Sequence, residues 1–186
     1  MTDPRTTQLA QNLIRHSCHV QPGEHVLLEI IDAPDEIAIE LIRAVREAGG
    51  HPHINLRHSR ISREMLTGAT DEQYAVISEL ELAEMEKMDA YIAIRGGHNS
   101  FENSSVPAEK MALAMKLMRP VHNQRVNKTK WCVLRWPTPS MAQGAGMSTE
   151  AFEDFYFRCC LADYAKLRVA MDKLAERMMQ TDRVRR

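Results

Sequence analysis

No apolar run in this chain of 186 residues approaches the roughly 20 residues a membrane-spanning helix needs. A membrane is therefore not an expected partner. Neither sign of charge is in excess: 24 basic residues stand against 25 acidic ones, for a formal net charge of −1. Nucleic acids and anionic lipid surfaces are read by concentrated positive charge, so neither is expected here. The basic tail of Arg183, Arg185 and Arg186 is too short to change that. Cysteine is sparse, at Cys18, Cys132, Cys159 and Cys160, with no Cys-x-x-Cys spacing, and adjacent Cys159 and Cys160 rarely bridge each other. Free buried thiols in a reducing cytoplasm are the expectation. With a polar start from Met1 to Arg5, a secretory leader is not expected. Signatures of several chemistries are also missing. There is no His-Glu-x-x-His, no phosphate loop, no Gly-x-Gly-x-x-Gly after a strand and no Gly-x-Ser-x-Gly elbow,.

What is present is an alternation of strands and helices. Leu9, Leu13 and Ile14 begin an amphipathic helix that stops before Val20. Pro22-Gly23 is a turn signal. Residues 26–31, Val-Leu-Leu-Glu-Ile-Ile, form a nearly continuous apolar run, as expected of a strand buried on both faces. Asp32 precedes Pro34 and Asp35 as an expected helix cap. Ala38, Leu41, Ile42, Val45 and Ala48 follow at helical spacing, and Gly49-Gly50 closes that helix. A second strand is predicted over 51–58, with Ile54 and Leu56 on one side. One short and one longer helix fill 62–87, where Thr70 with Gln73 resembles a capping box. Residues 90–94 form a third strand. Pro107 opens a helix bearing Met111, Met115 and Met118 that ends by Pro120. A fourth strand over 131–136 runs into Pro137-Thr138-Pro139, which cannot extend a ladder. Ser148 caps a helix whose apolar face is Phe152, Phe155, Tyr156 and Cys159.

The last helix carries Tyr164, Leu167, Met171, Leu174 and Met178. That seam is read mainly as core packing, with another subunit as the alternative. The twelve methionines are expected to be soft core filler. The fold class is α/β, Rossmann-like or flavodoxin-like: a mostly parallel sheet of about four strands with helices on both faces. With no repeat, low-complexity tract or internal linker, residues 1–186 read as a single domain.

Metal sites need several converging ligands. His16 and His19 lie three apart on the first helix, and His51 and His53 share a strand face with no carboxylate placed beside them. Both pairs read as solvated surface histidines, and no residue is assigned as metal-binding or catalytic. In open α/β sheets ligands gather at the carboxyl ends of the strands. Two loops fall there: 95–102, with Arg95, Gly96 and Gly97, and 136–140, with Trp136, Pro137 and Thr138. These six residues are the substrate-cleft candidates; packing under a neighbouring domain is the equal alternative.

Several stretches, in order along the chain, carry a family resemblance. They are residues 20–28 (Val-Gln-Pro-Gly-Glu-His-Val-Leu-Leu), 45–50 (Val-Arg-Glu-Ala-Gly-Gly), 88–95 with 103–107, and most specifically Trp136-Pro137-Thr138-Pro139-Ser140-Met141-Ala142-Gln143. Ala145-Gly146-Met147-Ser148 and the Phe-rich helix with Glu153-Asp154-Phe155 continue that last stretch. The chain closes on Leu174-Ala175 and on residues 181–185 (Thr-Asp-Arg-Val-Arg). Together these resemble the N-terminal domain of the aminopeptidase T and aminopeptidase S (leucyl aminopeptidase) metallopeptidases. The resemblance implies a two-domain, usually homodimeric exopeptidase that removes N-terminal residues from peptides, using water activated between two divalent metals, zinc or cobalt. It places the Glu, His and Asp ligands in a C-terminal catalytic domain, expected beyond Arg186. No metal is therefore expected in this chain, which would be inactive alone, shaping the cleft and supporting assembly. Two alternatives stand beside it: a free-standing flavodoxin-like module binding a nucleotide or small anion at the strand ends, with Gly96-Gly97 as its cue, and a structural dimerisation domain built on the last helix's seam.

Overall fold

The computed structural model describes residues 3–183. Met1, Thr2, Val184, Arg185 and Arg186 lie outside the described residues, and with them part of the closing junction motif and of the basic tail. Four strands, β1 (His25–Ile31), β2 (His51–Arg57), β3 (Ala90–Arg95) and β4 (Lys130–Arg135), form one all-parallel sheet in the order β2-β1-β3-β4. The two central strands are those with continuous apolar runs, as burial on both faces requires. Pro52 sits inside β2 without an N–H to donate, consistent with that strand's place at the edge.

Each face of the sheet has its own core. On the first, Val26, Leu28, Ile30, Ala90, Ile92 and Ile94 pack against α1 (Pro4–Asn12), its π-helical continuation Leu13–Ser17, α2 (Asp35–Glu47) and α8 (Thr149–Cys160). The periodic residues Ile37, Ala38, Leu41, Ala44 and Val45 are the buried stripe of α2. That helix ends where Gly49 adopts φ +81°, a conformation glycine reaches without a Cβ penalty. On the second face, Leu27, Tyr91 and Ala93 meet Met85 at the end of α4 (Asp71–Met85), Met88 in the turn after it and Val121 of α6 (Arg119–Lys128). Two further helices, α3 (Ser59–Gly68) and α5 (Ala108–Leu117), bury no residue. Helices thus cover both faces, and no helix among the described residues is long and apolar enough to cross a membrane.

The second face also holds a buried polar network. The Glu29 carboxylate, only 6% exposed, accepts a hydrogen bond from the Tyr91 hydroxyl and lies 3.3 Å from Arg57 Nε. Arg57 Nη2 donates to Glu81 at 2.7 Å. The Arg125 guanidinium stacks 3.9 Å above the Tyr91 ring centroid, a cation–π contact. Burial, then the neighbouring Glu29 charge, pushes the Tyr91 hydroxyl well above its ordinary value, so it stays protonated and donates.

Several expectations are corrected. Asp32 does not cap α2, whose N-cap is Pro34 with no side-chain bond; its carboxylate accepts instead from the amide of Ser59 at the start of α3, at 3.1 Å. The helix of Met111 and Met115 does end by Pro120, at Leu117, but a further helix begins at once, and Pro120 sits in the first turn of α6, where its missing N–H costs nothing. A short helix, α7 (Pro139–Gly144), follows the Pro-Thr-Pro segment, with Thr138 as its N-cap. The buried residues of α8 are Tyr156 and Phe157, whereas Phe155 and Cys159 face solvent. The Met filler is mostly exposed; Met85 and Met88 are the methionines in the buried core. Among the cysteines Cys18 alone is fully buried, and burial, foremost, pushes its thiol up to about 12. The seam of α9 (Tyr164–Met179) is not core: Tyr164, Leu167, Met171, Leu174 and Met178 are 37% to 64% exposed. Ile54 and Leu56 do share a face, as predicted, but both are exposed at the sheet edge. The sequence counted neighbours along the chain, and these side chains lack the cross-chain neighbours that would cover them.

Candidate functional site

The chain visits β1 and β2, then crosses to β3 and β4 on the other side of β1. The loops leaving β1 and β3 therefore part in opposite directions, and a crevice opens between them at the carboxyl ends of the strands. A cavity of about 860 Å³ lies there. Its walls are the β1–α2 turn (Asp32, Ala33, Pro34), His58 with the first turns of α3, and the loop residues His98, Asn99 and Glu102. A second hollow of about 380 Å³ continues it over β3 and β4, lined by Arg95, Gly96, Gly97, Ser100, Arg135 and Ser140 among others. Ser59, Asn99 and Glu102 border both.

The crevice exists because two backbones meet closely at its floor. Gly96 N donates to Ile31 O at 2.7 Å, and a Cβ at Gly96 would stand 2.0 Å from Asp32 O. Asp32 holds φ +47°, an uncommon conformation for a residue other than glycine. Its carboxylate is the fastening: it takes the Ser59 amide and faces His58 Nδ1 at 3.3 Å. Burial raises the Asp32 carboxyl, yet the hydrogen bonds from Ser59 and His58 outweigh it and hold the group below the ordinary carboxylate range. A depressed carboxyl contributes stability that is complete above its unfolded pKa and is lost as pH falls through its folded one. Asp32→Asn keeps an acceptor for Ser59 but cannot titrate. The variant should show a flatter fall of melting temperature with acidity below the ordinary carboxylate range than the parent, read by circular dichroism. Parallel acid limbs for the two proteins would contradict this account.

On the other wall Arg63 pairs with Glu102, which also takes a weak contact from Asn99 Nδ2 at 3.5 Å. Phe101 projects from this loop, 75% exposed. Thr138 is buried; its hydroxyl donates to Gly97 O at 3.0 Å and accepts from Met141 N at 3.4 Å. It thereby ties the two candidate loops together. Of the six residues singled out in sequence, Arg95, Gly96 and Gly97 line the smaller hollow. Trp136 packs edge-on against Tyr156 and Phe157, 6.4 and 6.1 Å between centroids. Pro137 and Thr138 stand behind the glycine loop and border neither hollow. Sequence reasoning missed Asp32, His58, Arg63 and Arg135. The only local signal was that Asp32 and Arg135 end apolar strands; the rest depends on how distant loops meet.

The β1–α2 turn does not resemble a phosphate cradle. It reads Asp32-Ala33-Pro34 without glycine, and α2 opens with Asp35 and Glu36, which repel an anion at that helix N-terminus. No group of three or more His, Cys, Asp or Glu side chains among the described residues is placed to hold a metal ion. The nearest approach is His25 Nδ1 and His53 Nε2, 2.9 Å apart at the opposite end of the sheet. A two-metal centre therefore has no fit in these residues.

The profile of the thermophilic metalloprotease family (M29) matches residues 2–182. Among solved structures, wild-type AmpT from Thermus thermophilus superposes with a TM-score of 0.66 at 16% identity, over 85% of this chain and 43% of that one. The chain thus spans less than half the length of that protein, and the likeness establishes the α/β fold. A CurK enoyl reductase structure aligns over 84% of this chain and 49% of that one, with a TM-score of 0.36 and 14% identity. No curated protein matches the chain in sequence.

Proposed function

We propose, from the premise that this chain belongs to the thermophilic metalloprotease family M29, that it forms the α/β part of a metal-dependent aminopeptidase of the leucyl type. Such an enzyme removes N-terminal residues from peptides. The observation that carries the reading is the family match along nearly the whole chain, from residue 2 to residue 182. In this reading the crevice at the strand ends is one wall of the peptide cleft. Arg95, Gly96 and Gly97 face it, while Trp136, Pro137 and Thr138 hold those residues in place.

Two divalent metals, zinc or cobalt, would activate the attacking water. The described residues offer no cage for them, so we place their ligands in a C-terminal catalytic domain, the partner of this α/β unit. The exposed apolar seam of α9 supports packing against that domain or within a homodimer, because an uncovered apolar stripe is costly in water. A cytoplasmic setting suits the four unbridged cysteines,.

Turnover of Leu-p-nitroanilide and elemental analysis test the reading together. The 186-residue chain should hold no stoichiometric zinc or cobalt and release no p-nitroaniline in a metal-dependent way. The protein expressed from the complete reading frame should release it, and a chelator should abolish that release. One or two equivalents of metal on the 186 residues would overturn the placement of the ligands. Inactivity of the complete protein with either metal would overturn the aminopeptidase itself.

A further inference from the structure

Arg95 and Arg135 occupy matched positions at the carboxyl ends of β3 and β4. Paired residues on neighbouring strands point to the same face, with backbones under 5 Å apart. Two cations are thus held side by side, an arrangement that costs stability unless an anion lies between them. Among the described residues neither arginine forms an ion pair; Arg57, at the same level across the sheet, is instead matched by Glu29 and Glu81. Arg95 Nε is buried with no hydrogen-bond partner, although its guanidinium lies against the Tyr91 hydroxyl. A buried donor without an acceptor is rare enough in folded proteins to need a reason.

The hollow over these arginines is rich in donors. Ser100 and Ser140 bring their hydroxyls within 3.3 Å of each other at its rim, and Asn103 adds an amide. Its one carboxylate, Glu102, is already engaged by Arg63 and Asn99. The volume of about 380 Å³ lies within the range of small-ligand sites and has room for the last residue of a peptide. A planar guanidinium matches a carboxylate with two parallel hydrogen bonds.

We infer that Arg95 and Arg135 form a carboxylate subsite that holds the C-terminal carboxyl group of a short peptide substrate. This rests on the aminopeptidase reading for the identity of the ligand, and it makes the crevice selective for short peptides with a free C-terminus. Leu-p-nitroanilide has no such carboxylate, so its turnover tests the enzyme class without touching the subsite.

The subsite is tested by titrating the 186-residue chain with Leu-Gly-Gly, with its C-terminal amide and with inorganic phosphate, following backbone amide shifts by NMR. The free acid should saturate, with shifts at Gly97, Ser100 and Ser140. The amide should bind at least about tenfold more weakly, as expected when a charge-assisted pair is lost. Phosphate should bind more weakly than the acid. Arg135→Gln changes an exposed side chain, so the fold should persist; it should weaken the acid about tenfold and leave the amide unchanged. Arg95→Lys keeps the charge but loses the fork, and should give a smaller loss of the same kind. Acid and amide binding alike, or discrimination surviving in Arg135→Gln, would overturn the inference. So would phosphate binding as tightly as the acid, which would mark a site for free anions, or the absence of saturable binding by any of the three. A complete protein that cleaves Leu-p-nitroanilide while its α/β part fails this titration would sink the subsite alone.

Discussion

Gly96→Ala is expected to cost the domain about 3 kcal/mol or more, at the upper end of what overpacking does. The added Cβ would lie 2.0 Å from Asp32 O and 2.7 Å from Asp32 C. Both are backbone atoms, so no rotamer change relieves the clash. The β1–α2 turn would have to move, and Gly96 N would lose its bond to Ile31 O. Because that turn is a wall of the crevice, the same substitution should also disturb the Asp32 bonds to Ser59 and His58 that shape it. Gly97→Ala is the control: nothing lies within 4 Å of a Cβ there, and ordinary surface substitutions stay within about 0.5 kcal/mol. Urea unfolding of both variants checks the contrast. A loss at position 96 no larger than at 97 would show that the two backbones are not held at this distance.

Arg57→Met should be the other severe change, at about 2–4 kcal/mol. Glu29 is buried beneath the sheet's second face, and Arg57 is its cationic neighbour at 3.3 Å. Removing one member of a buried pair leaves the other charge uncompensated, which typically costs about 3–5 kcal/mol. The lower figure reflects Arg57's partial exposure, about a third of its side chain, where water screens part of the interaction. The Tyr91 hydroxyl remains as a donor to Glu29 and offsets some of the loss. The diagnostic is the double variant. With Glu29→Gln added, the buried charge is gone and most of the Arg57→Met penalty should disappear, giving a coupling energy well above the scatter of independent sites. Additive losses would mean that Arg57 stabilises through Glu81 or through packing, not through Glu29.

The elements were legible because their causes are local. The continuous apolar runs of β1 and β3, the three-and-four spacing in α2 and the Thr70 and Ser148 caps each reflect residues within a turn or two of one another. The structure reproduces those caps at 3.2 and 3.3 Å. Local signals also misled. Pro120 marks the end of α5 correctly, but its spacing does not show that it also lies in the first turn of the next helix. The seam of α9 reads as core because spacing reports which residues share a face, not what that face meets. Phe155 and Phe157 cannot be told apart by composition, and only the second reaches the sheet.

The site was legible by half. Arg95, Gly96 and Gly97 could be placed near a crevice from topology alone, because parallel sheets open clefts at their carboxyl ends. Asp32, His58 and Arg135 could not, since their roles depend on partners 26 to 40 positions away in sequence.

From the sequence alone come the α/β class, the positions of the four strands, the absence of phosphate-loop and zinc-protease motifs, and the family resemblance. These are properties of residue order and short-range sterics. Only the tertiary structure set the strand order β2-β1-β3-β4, and with it the switch between β1 and β3 where the crevice opens. It alone placed Arg95 beside Arg135 and buried Glu29 against Arg57. Register between strands is a contest among long-range pairings, settled by which faces are buried together, and no stretch of neighbouring residues records its outcome.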